Sequence, residues 1–165
     1  RVSIYGFRSM TQPTALQTEF LCTMRIRVVD SHIIEDIPGG TRRRIDLLGD
    51  GSIKGPRLNG KILPGGADAL LTRNDGSLTP DVRLVIKTHD DALIFVQYRG
   101  IRHGKPEIMD RIAAGENVSP NEYYLRNAPF FETSSGPYEW LNHIVSVGVG
   151  RRETDSAVYD VYEIL

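Results

Sequence analysis

Apolar and polar residues alternate with a period of two along much of the chain, a pattern typical of β-strands that bury one face. The clearest case is residues 20–28, where every second residue is apolar, and residues 82–88 show the same alternation. Asn74-Asp75-Gly76 predicts a hairpin turn. Further strand candidates lie at residues 42–48, 58–63, 69–73, 93–99, 122–126, 143–149 and 158–164.

One segment has helical spacing instead. Pro106 is favourable at a first helical position, since its missing N–H would be unpaired there anyway. Ile108, Met109 and Ile112 then share one face, and Gly115 ends the run. We therefore predict one short helix near residues 106–114.

The number and spacing of the strands predict the fold class. About eight to ten short strands separated by turn signals favour an all-β sandwich or barrel. Of the two we predict a closed antiparallel β-barrel, since about eight strands can enclose one small ligand. Residues 1–16 lack the alternation and are predicted to form an N-terminal arm, followed by a single domain over residues 17–165.

The charges of the chain exclude some partners. Its 165 residues carry 20 Lys and Arg against 21 Asp and Glu, so we expect neither nucleic acid nor a membrane surface as a partner. The basic runs 42–44 and 151–152 are interpreted as solvated strand ends rather than a phosphate site. No apolar stretch approaches a membrane span. The first residue, Arg1, fits a trimmed chain as well as a removed leader, so the compartment stays open, with a soluble cytoplasmic protein as the expectation.

Several kinds of catalytic site are absent from the sequence. The four histidines never fall at metal-ligand spacing, and no glycine-rich phosphate loop precedes a helix. Cys22 is the only cysteine and lies on the apolar side of its strand, which predicts a small core residue rather than a catalytic thiol. We therefore expect neither a metal nor an organic cofactor.

What remains are charged and phenolic side chains on otherwise apolar strands. A charge that points into a barrel is costly unless it is paired or hydrated, so each such residue belongs either to a structural ion pair or to a site. Solvated, outward positions are favoured for Arg83 and Lys87. The complete set is Arg57, Asp68, Arg83, Lys87, Tyr98, Arg99, Tyr124, Arg126 and Glu132.

The stretch GPRLNGKILPGGAD, residues 55–68, frames Arg57 and Asp68 with four glycines and two prolines. The glycines allow sharp turns and close packing, so we predict that two strand ends converge and bring Arg57 and Asp68 to one barrel mouth. A structural ion pair and a site role both remain open for this pair. Whether Asp68 acts as an acid or a base depends on the balance between burial and the arginine.

Other residues are candidates for the lining of the same cavity. Tyr124 and Arg126 stand two apart on one strand face, which suits a phenol and a guanidinium that meet one ligand. Glu132 is a second candidate carboxyl group. Phe131 and Trp140 fit a core position or a stacking surface.

Four blocks of sequence resemble the family catalogued as domain of unknown function 3237. The blocks are GPRLNGKILPGGAD, DVRLVIKTHDDALIFVQYRG, EYYLRNAPFFETSSGPYEWLN and the closing VYDVYEIL. The family's motifs correspond to residues 64–68, to Tyr124 and Arg126, and to residues 131–133. Ala69 and Asp91 depart from the tryptophan and glycine that are usual in the family. The resemblance implies a compact antiparallel β-barrel that is often a dimer, and some fungal members look like cofactor-free cyclases that form an ether ring by intramolecular hydroalkoxylation.

The expected function is therefore a cofactor-independent cyclase, lyase or isomerase that uses general acid–base catalysis on an apolar, oxygenated small molecule. The resemblance makes hydroalkoxylation in fungal secondary metabolism its specific form. A non-catalytic, lipocalin-like binding protein is the alternative, and a purely structural dimer is a third hypothesis. A homodimer is expected in each case. The expected catalytic residues are Asp68, Glu132 and Arg57, and the expected substrate-binding residues are Tyr124, Arg126, Tyr98, Lys87, Phe131 and Trp140.

Overall fold

A computed structural model describes residues 14–165, whose regular secondary structure is almost entirely antiparallel β-strand. This part of the chain contains one α-helix, α1 (Pro106–Ala113), which begins at the predicted proline. The predicted all-β fold with one helix is therefore confirmed. The ten strands are β1 (Thr18–Glu35), β2 (Arg42–Leu48), β3 (Gly51–Lys54), β4 (Gly60–Thr72), β5 (Leu78–Thr79), β6 (Asp81–Thr88), β7 (Leu93–Gly104), β8 (Tyr123–Thr133), β9 (Val145–Arg152) and β10 (Ser156–Ile164).

The strand pairings return to the strand where they start. They run from β1 through β2, β4, β6, β7, β8, β9 and β10, and β10 pairs with β1 again. Strand β3 bridges β1 and β4, and β5 bridges β4 and β7. The fold is therefore a barrel-like ring of strands, and the predicted arm lies outside the described residues except for residues 14–16. No helix within residues 14–165 is long and apolar enough to cross a membrane.

Alternate residues of the strands fill the interior of the ring. On β7, Ile94, Val96 and Tyr98 point inward and are buried. Cys22 on β1 is fully buried as well, which confirms its prediction as a small core residue. Burial, assisted by the charge of Asp160, raises the pKa of the Cys22 thiol to about 12, so this thiol stays protonated and unreactive.

The first part of the glycine-rich stretch, residues 55–59, turns the chain between the antiparallel strands β3 and β4. The second part does not turn, so the predicted convergence of two strand ends at Arg57 and Asp68 was wrong. Residues 60–72 form the single strand β4, and Pro64-Gly65-Gly66 lies in a bulge where β4 carries two more residues than β6 between Leu63 and Ala67. Gly65 has a φ of 107°, which few residues other than glycine adopt. Because an extended strand rises about 3.3 Å per residue, Arg57 and Asp68 lie toward opposite ends of the ring.

The glycine at the start of β4 permits close strand packing, and this predicts a loss of stability on substitution. A Cβ at Gly60 would overlap the carbonyl oxygen of Lys87 and lie 2.8 Å from the Cα of Thr88. Since backbone atoms cannot move aside easily, we expect Gly60→Ala to lower the free energy of unfolding by about 1–3 kcal/mol. A Cβ at Gly39 meets nothing within 4 Å, so Gly39→Ala is the matched control. Urea denaturation of both variants tests this, and equal losses would contradict it.

Candidate active site

Two aspartates face each other inside the ring. The register of β2 and β4 places Asp46 directly opposite Asp68. On the other side of β4, Val82 on β6 lies opposite Asp68, and Tyr98 on β7 lies opposite Val82. Side chains that are directly opposite in neighbouring strands lie about 5 Å apart, so two carboxyl groups share one side of a cavity that also contains a phenol.

The two carboxyl groups have different surroundings. Asp46 is buried and held by charge: its Oδ1 lies 2.8 Å from Arg44 Nε, and its Oδ2 accepts a 2.9 Å hydrogen bond from Arg44 Nη2. Ser31 Oγ donates a further hydrogen bond of 2.5 Å to Asp46 Oδ1. These contacts satisfy the carboxylate form of Asp46.

Among residues 14–165, Asp68 has a single hydrogen bond, from the backbone N–H of Asp81 at 2.9 Å. Burial raises the pKa of Asp68 to about 6, and the charge of Asp46 acts in the same direction. The hydrogen bond and the guanidinium groups of Arg44 and Arg102 oppose this shift in pKa but do not cancel it. Asp68 can therefore exchange a proton near neutral pH, as a general acid or base must.

Two tyrosines stand beside Asp68. The rings of Tyr98 and Tyr159 meet edge to face, with centroids 5.4 Å apart, and both side chains are buried. Burial, together with the charge of Asp68, raises the pKa of Tyr159 to about 12, and the pKa of Tyr98 is raised well above its usual value, mainly by burial. Both phenols thus stay neutral and keep an O–H to donate.

Two arginines at this end of the ring, Arg102 and Arg152, are not held in salt bridges by the part of the chain that the structure describes. Arg102 follows Tyr98 and Gly100 on the inward side of β7, and its Nε is buried without a hydrogen-bond partner among the described residues. Burial, followed by the charge of Arg152, lowers the pKa of Arg102 to about 10. Neither Arg102 nor Arg152 forms a salt bridge with another residue in the range 14–165. The interior therefore carries more positive than negative charge.

These groups line two adjoining cavities. The inner cavity is lined by Asp46, Asp68 and Tyr98. Its volume of about 30 Å³ leaves room for a group the size of a water molecule. The outer cavity, of about 540 Å³, opens between the β4–β5 hairpin, the end of β7 and α1. Both cavities are lined by Arg44, Leu70, Arg102 and Arg152. A ligand in the outer cavity could thus extend one small group to Asp68.

Asp68 and Tyr98, two of the predicted site residues, line the inner cavity. Three other predicted site residues lie elsewhere. Arg57 forms a salt bridge with Glu163 and stacks 4.3 Å above the Trp140 ring, so it is not the partner of Asp68. Glu132 is exposed because it follows the inward-facing Phe131 on β8. Lys87 is exposed and lies 3.1 Å from Asp91, as the solvated interpretation predicted.

Tyr124 and Arg126 do lie together, but on the outside of the ring. The inward positions of β8 are taken by Tyr123 and Leu125, so the prediction that Tyr124 and Arg126 line the cavity of Asp68 was wrong. The Arg126 guanidinium lies 4.8 Å from the Tyr124 ring, and both border an open surface depression of about 470 Å³. Phe131 belongs to the core and Trp140 packs against it, so neither lines the inner or the outer cavity.

Sequence reasoning missed five residues of this site: Asp46, Tyr159, Arg44, Arg102 and Arg152. The alternation of strand faces could have identified some of them. Arg102 lies an even number of residues from the inward-facing Ile94, Val96 and Tyr98, so it shares their face of β7. The basic runs were interpreted as solvated, yet alternation turns Arg44 and Arg152 toward the cavity. Within residues 14–165 there is no group of three or more His, Cys, Asp or Glu side chains placed to hold a metal ion.

Comparison with known proteins identifies relatives along almost the whole chain. The model of the family DUF3237, described as a protein of unknown function, matches residues 16–164. A UPF0311 protein of Rhodopseudomonas palustris (strain TIE-1) is 35% identical over 150 residues, which cover 91% of this chain and 97% of the relative. The hydroalkoxylation enzyme phnH of Penicillium herquei is 29% identical over 139 residues, which cover 84% of this chain and 76% of that enzyme.

Solved structures share the same fold. A conserved protein of unknown function from Rhodopseudomonas palustris superposes with a TM-score of 0.89 at 33% identity, with 93% of this chain and all of the other chain covered. A protein of Acinetobacter baumannii AYE described as beta-barrel like gives a TM-score of 0.81 at 34% identity and covers 93% of this chain and 99% of its own. The ring of strands is thus common to these proteins.

Proposed function

We propose that this chain, which belongs to the family DUF3237, is a cofactor-independent enzyme that transfers a proton through Asp68. The observation that carries the proposal is a carboxyl group with a pKa of about 6 in an inner cavity that admits only one small group. A relative named as a hydroalkoxylation enzyme supports intramolecular hydroalkoxylation as the reaction.

The reaction would need no redox partner. The carboxyl group of Asp68 gives its proton to one alkene carbon of the substrate. A hydroxyl oxygen of the same molecule forms a bond to the other alkene carbon, and the hydroxyl proton passes to the Asp68 carboxylate. The sum is an isomerisation that breaks one O–H bond and one carbon–carbon π bond, forms one C–H and one C–O bond, and restores the protonated acid.

The surroundings of Asp68 suit each part of this step. Burial raises the pKa of Asp68 to about 6, so the protonated acid predominates below pH 6 and a minor fraction of it persists at neutral pH. Arg44 and Arg102 stabilise the carboxylate that forms when the proton leaves. Tyr98 lines the inner cavity and stays neutral, so its hydroxyl group can donate to a substrate oxygen. The small inner cavity excludes bulk water that would otherwise capture a cationic carbon. Holding the hydroxyl group and the alkene close together lowers the barrier further.

Conversion of an ortho-alkenyl phenol tests the proposal directly. We expect 4-hydroxy-3-prenylbenzoate, incubated with the protein in ²H₂O, to close to its cyclic ether and to gain one carbon-bound deuterium per turnover, because the proton of Asp68 exchanges with solvent. NMR and mass spectrometry measure both events. Glu132→Gln is the matched control, since Glu132 is exposed on the outer face, and it should retain full turnover.

The alternative of a non-catalytic binding protein gives a different result. In that case the protein binds the benzoate in calorimetry, but no ring forms and no deuterium enters a C–H bond. Binding without conversion would therefore reject the proposed catalysis and support the lipocalin-like hypothesis.

A further inference from the structure

The boundary between the inner and outer cavities carries positive charge that the protein does not balance. Arg44 is engaged by Asp46. Arg102 has a buried Nε with no hydrogen-bond partner among residues 14–165, and the nearby charges of Arg152 and Arg44 are of the same sign. Asp68, with a pKa of about 6, is largely ionised at neutral pH and then offsets one of the two remaining positive charges. At least one guanidinium group therefore faces the cavity without a counter-charge from the described residues.

Such an arrangement is unfavourable for the protein alone. A buried charge without a partner lowers stability, and like charges around it increase the cost. Other carboxylates of the outer cavity do not relieve it: Asp75 is bonded to Arg73 and to the N–H of Ser77, and Asp110 forms no salt bridge with a described residue. The missing counter-charge is therefore expected from a ligand.

We propose that Arg102, assisted by Arg152, binds the carboxylate or a comparably acidic oxyanion of a small organic acid. A guanidinium presents a planar fork of N–H donors that matches the two oxygens of a carboxylate. The apolar body of the ligand occupies the outer cavity, against Leu78, Met109 and Ile112. This assignment rests on the proposed function only in one respect, namely that the reacting group of the bound acid reaches Asp68. It narrows the expected substrates from neutral oxygenated molecules to organic acids.

Binding of an unreactive pair of probes tests the proposal without any turnover. Naphthalene-1-carboxylate and its neutral amide have nearly the same shape, so calorimetry compares only the charge. We expect the carboxylate to bind about 10- to 100-fold more tightly at neutral pH, as hydrogen bonds to a charged group imply. Equal affinities for the acid and the amide would overturn the proposal.

Arg102→Met should remove this preference, whereas Arg99→Met should keep it, because Arg99 is exposed on the opposite side of the same strand. We expect Arg102→Met to fold with an unchanged or higher Tm, since it removes an unpaired buried charge. The naphthoate should raise the Tm of the wild type and of Arg99→Met but not that of Arg102→Met. An unchanged preference in Arg102→Met would overturn the assignment. Arg102→Lys keeps the charge but loses the fork, so we expect a weaker preference for the acid.

The two proposals fail in different ways. If the acid preference is absent but an alkenyl phenol is still cyclised, the anion site is wrong and the acid–base function stands. If the acid is preferred through Arg102 but no probe is cyclised, the anion site stands and the catalytic proposal is rejected.

Discussion

Asp68→Asn is expected to lower the turnover of an alkenyl phenol by about 10²- to 10⁴-fold, the usual contribution of a positioned proton donor. Asparagine has nearly the same size, and its Oδ1 can still accept the hydrogen bond from the N–H of Asp81. It has no acidic proton to give, so chemistry should fail while binding of naphthalene-1-carboxylate changes little. Rates measured at saturating substrate, together with calorimetry, separate these two effects.

The pH dependence of the same reaction identifies the direction of proton transfer. If Asp68 first donates its proton, kcat/KM should be highest below pH 6 and fall as the pH rises through the pKa of about 6. If Asp68 first accepts a proton, kcat/KM should rise over that interval. A pH profile without an inflection near this value, or an Asp68→Asn variant with more than about a tenth of wild-type turnover, would exclude Asp68 as the proton carrier.

Local signals predicted much of the fold. The strand predicted at residues 42–48 matches β2, and the Asn74-Asp75-Gly76 turn closes a hairpin in which Gly76 has a φ of 82°. In each case the signal lies in the residues that form the feature. The sequence does not predict β4 as one strand, because a bulge is recognised only from the pairing with the neighbouring strand. Pro64-Gly65-Gly66 looks like a turn until its register with β6 is known.

The site was harder to predict than the fold because it depends on which strand face points inward. On β8 both faces contain aromatic residues, so sequence alone could not decide between Tyr123 and Tyr124 for the interior. On β7 residues 93–96 are apolar on both faces, but Gln97 and Arg99 alternate with Tyr98. Extension of that alternation through Gly100 places Arg102 inside with Tyr98. The partner of Asp68 was not predictable, because the cross-strand neighbour Asp46 follows from the register of β2 and β4.

The stability of the protein should fall as the pH rises toward 6, and Asp68 is the expected cause. Its pKa is about 6 in the folded state and about 3.9 in an unfolded chain. Between these values the folded state binds more protons than the unfolded state, so the free energy of unfolding decreases with increasing pH. The full shift corresponds to about 3 kcal/mol, and partial hydration of the carboxyl group reduces this to about 1–3 kcal/mol.

Asp68→Asn mimics the protonated form at every pH, so it should abolish this loss. We expect the variant to match the wild type near pH 4 and to exceed its unfolding free energy above pH 6 by about 1–3 kcal/mol. Urea denaturation at a series of pH values measures the difference. Asp30→Asn is the control, because Asp30 is exposed and, within the described residues, only accepts a hydrogen bond from the N–H of Ser31, which asparagine can keep. A variant less stable than the wild type at neutral pH would mean that attraction to Arg44 and Arg102 outweighs burial. Asp68 would then be a structural counter-ion, and the proton transfer would have to involve another group. Higher stability combined with lost turnover would instead identify a carboxyl group whose position is unfavourable for the fold and required for the reaction.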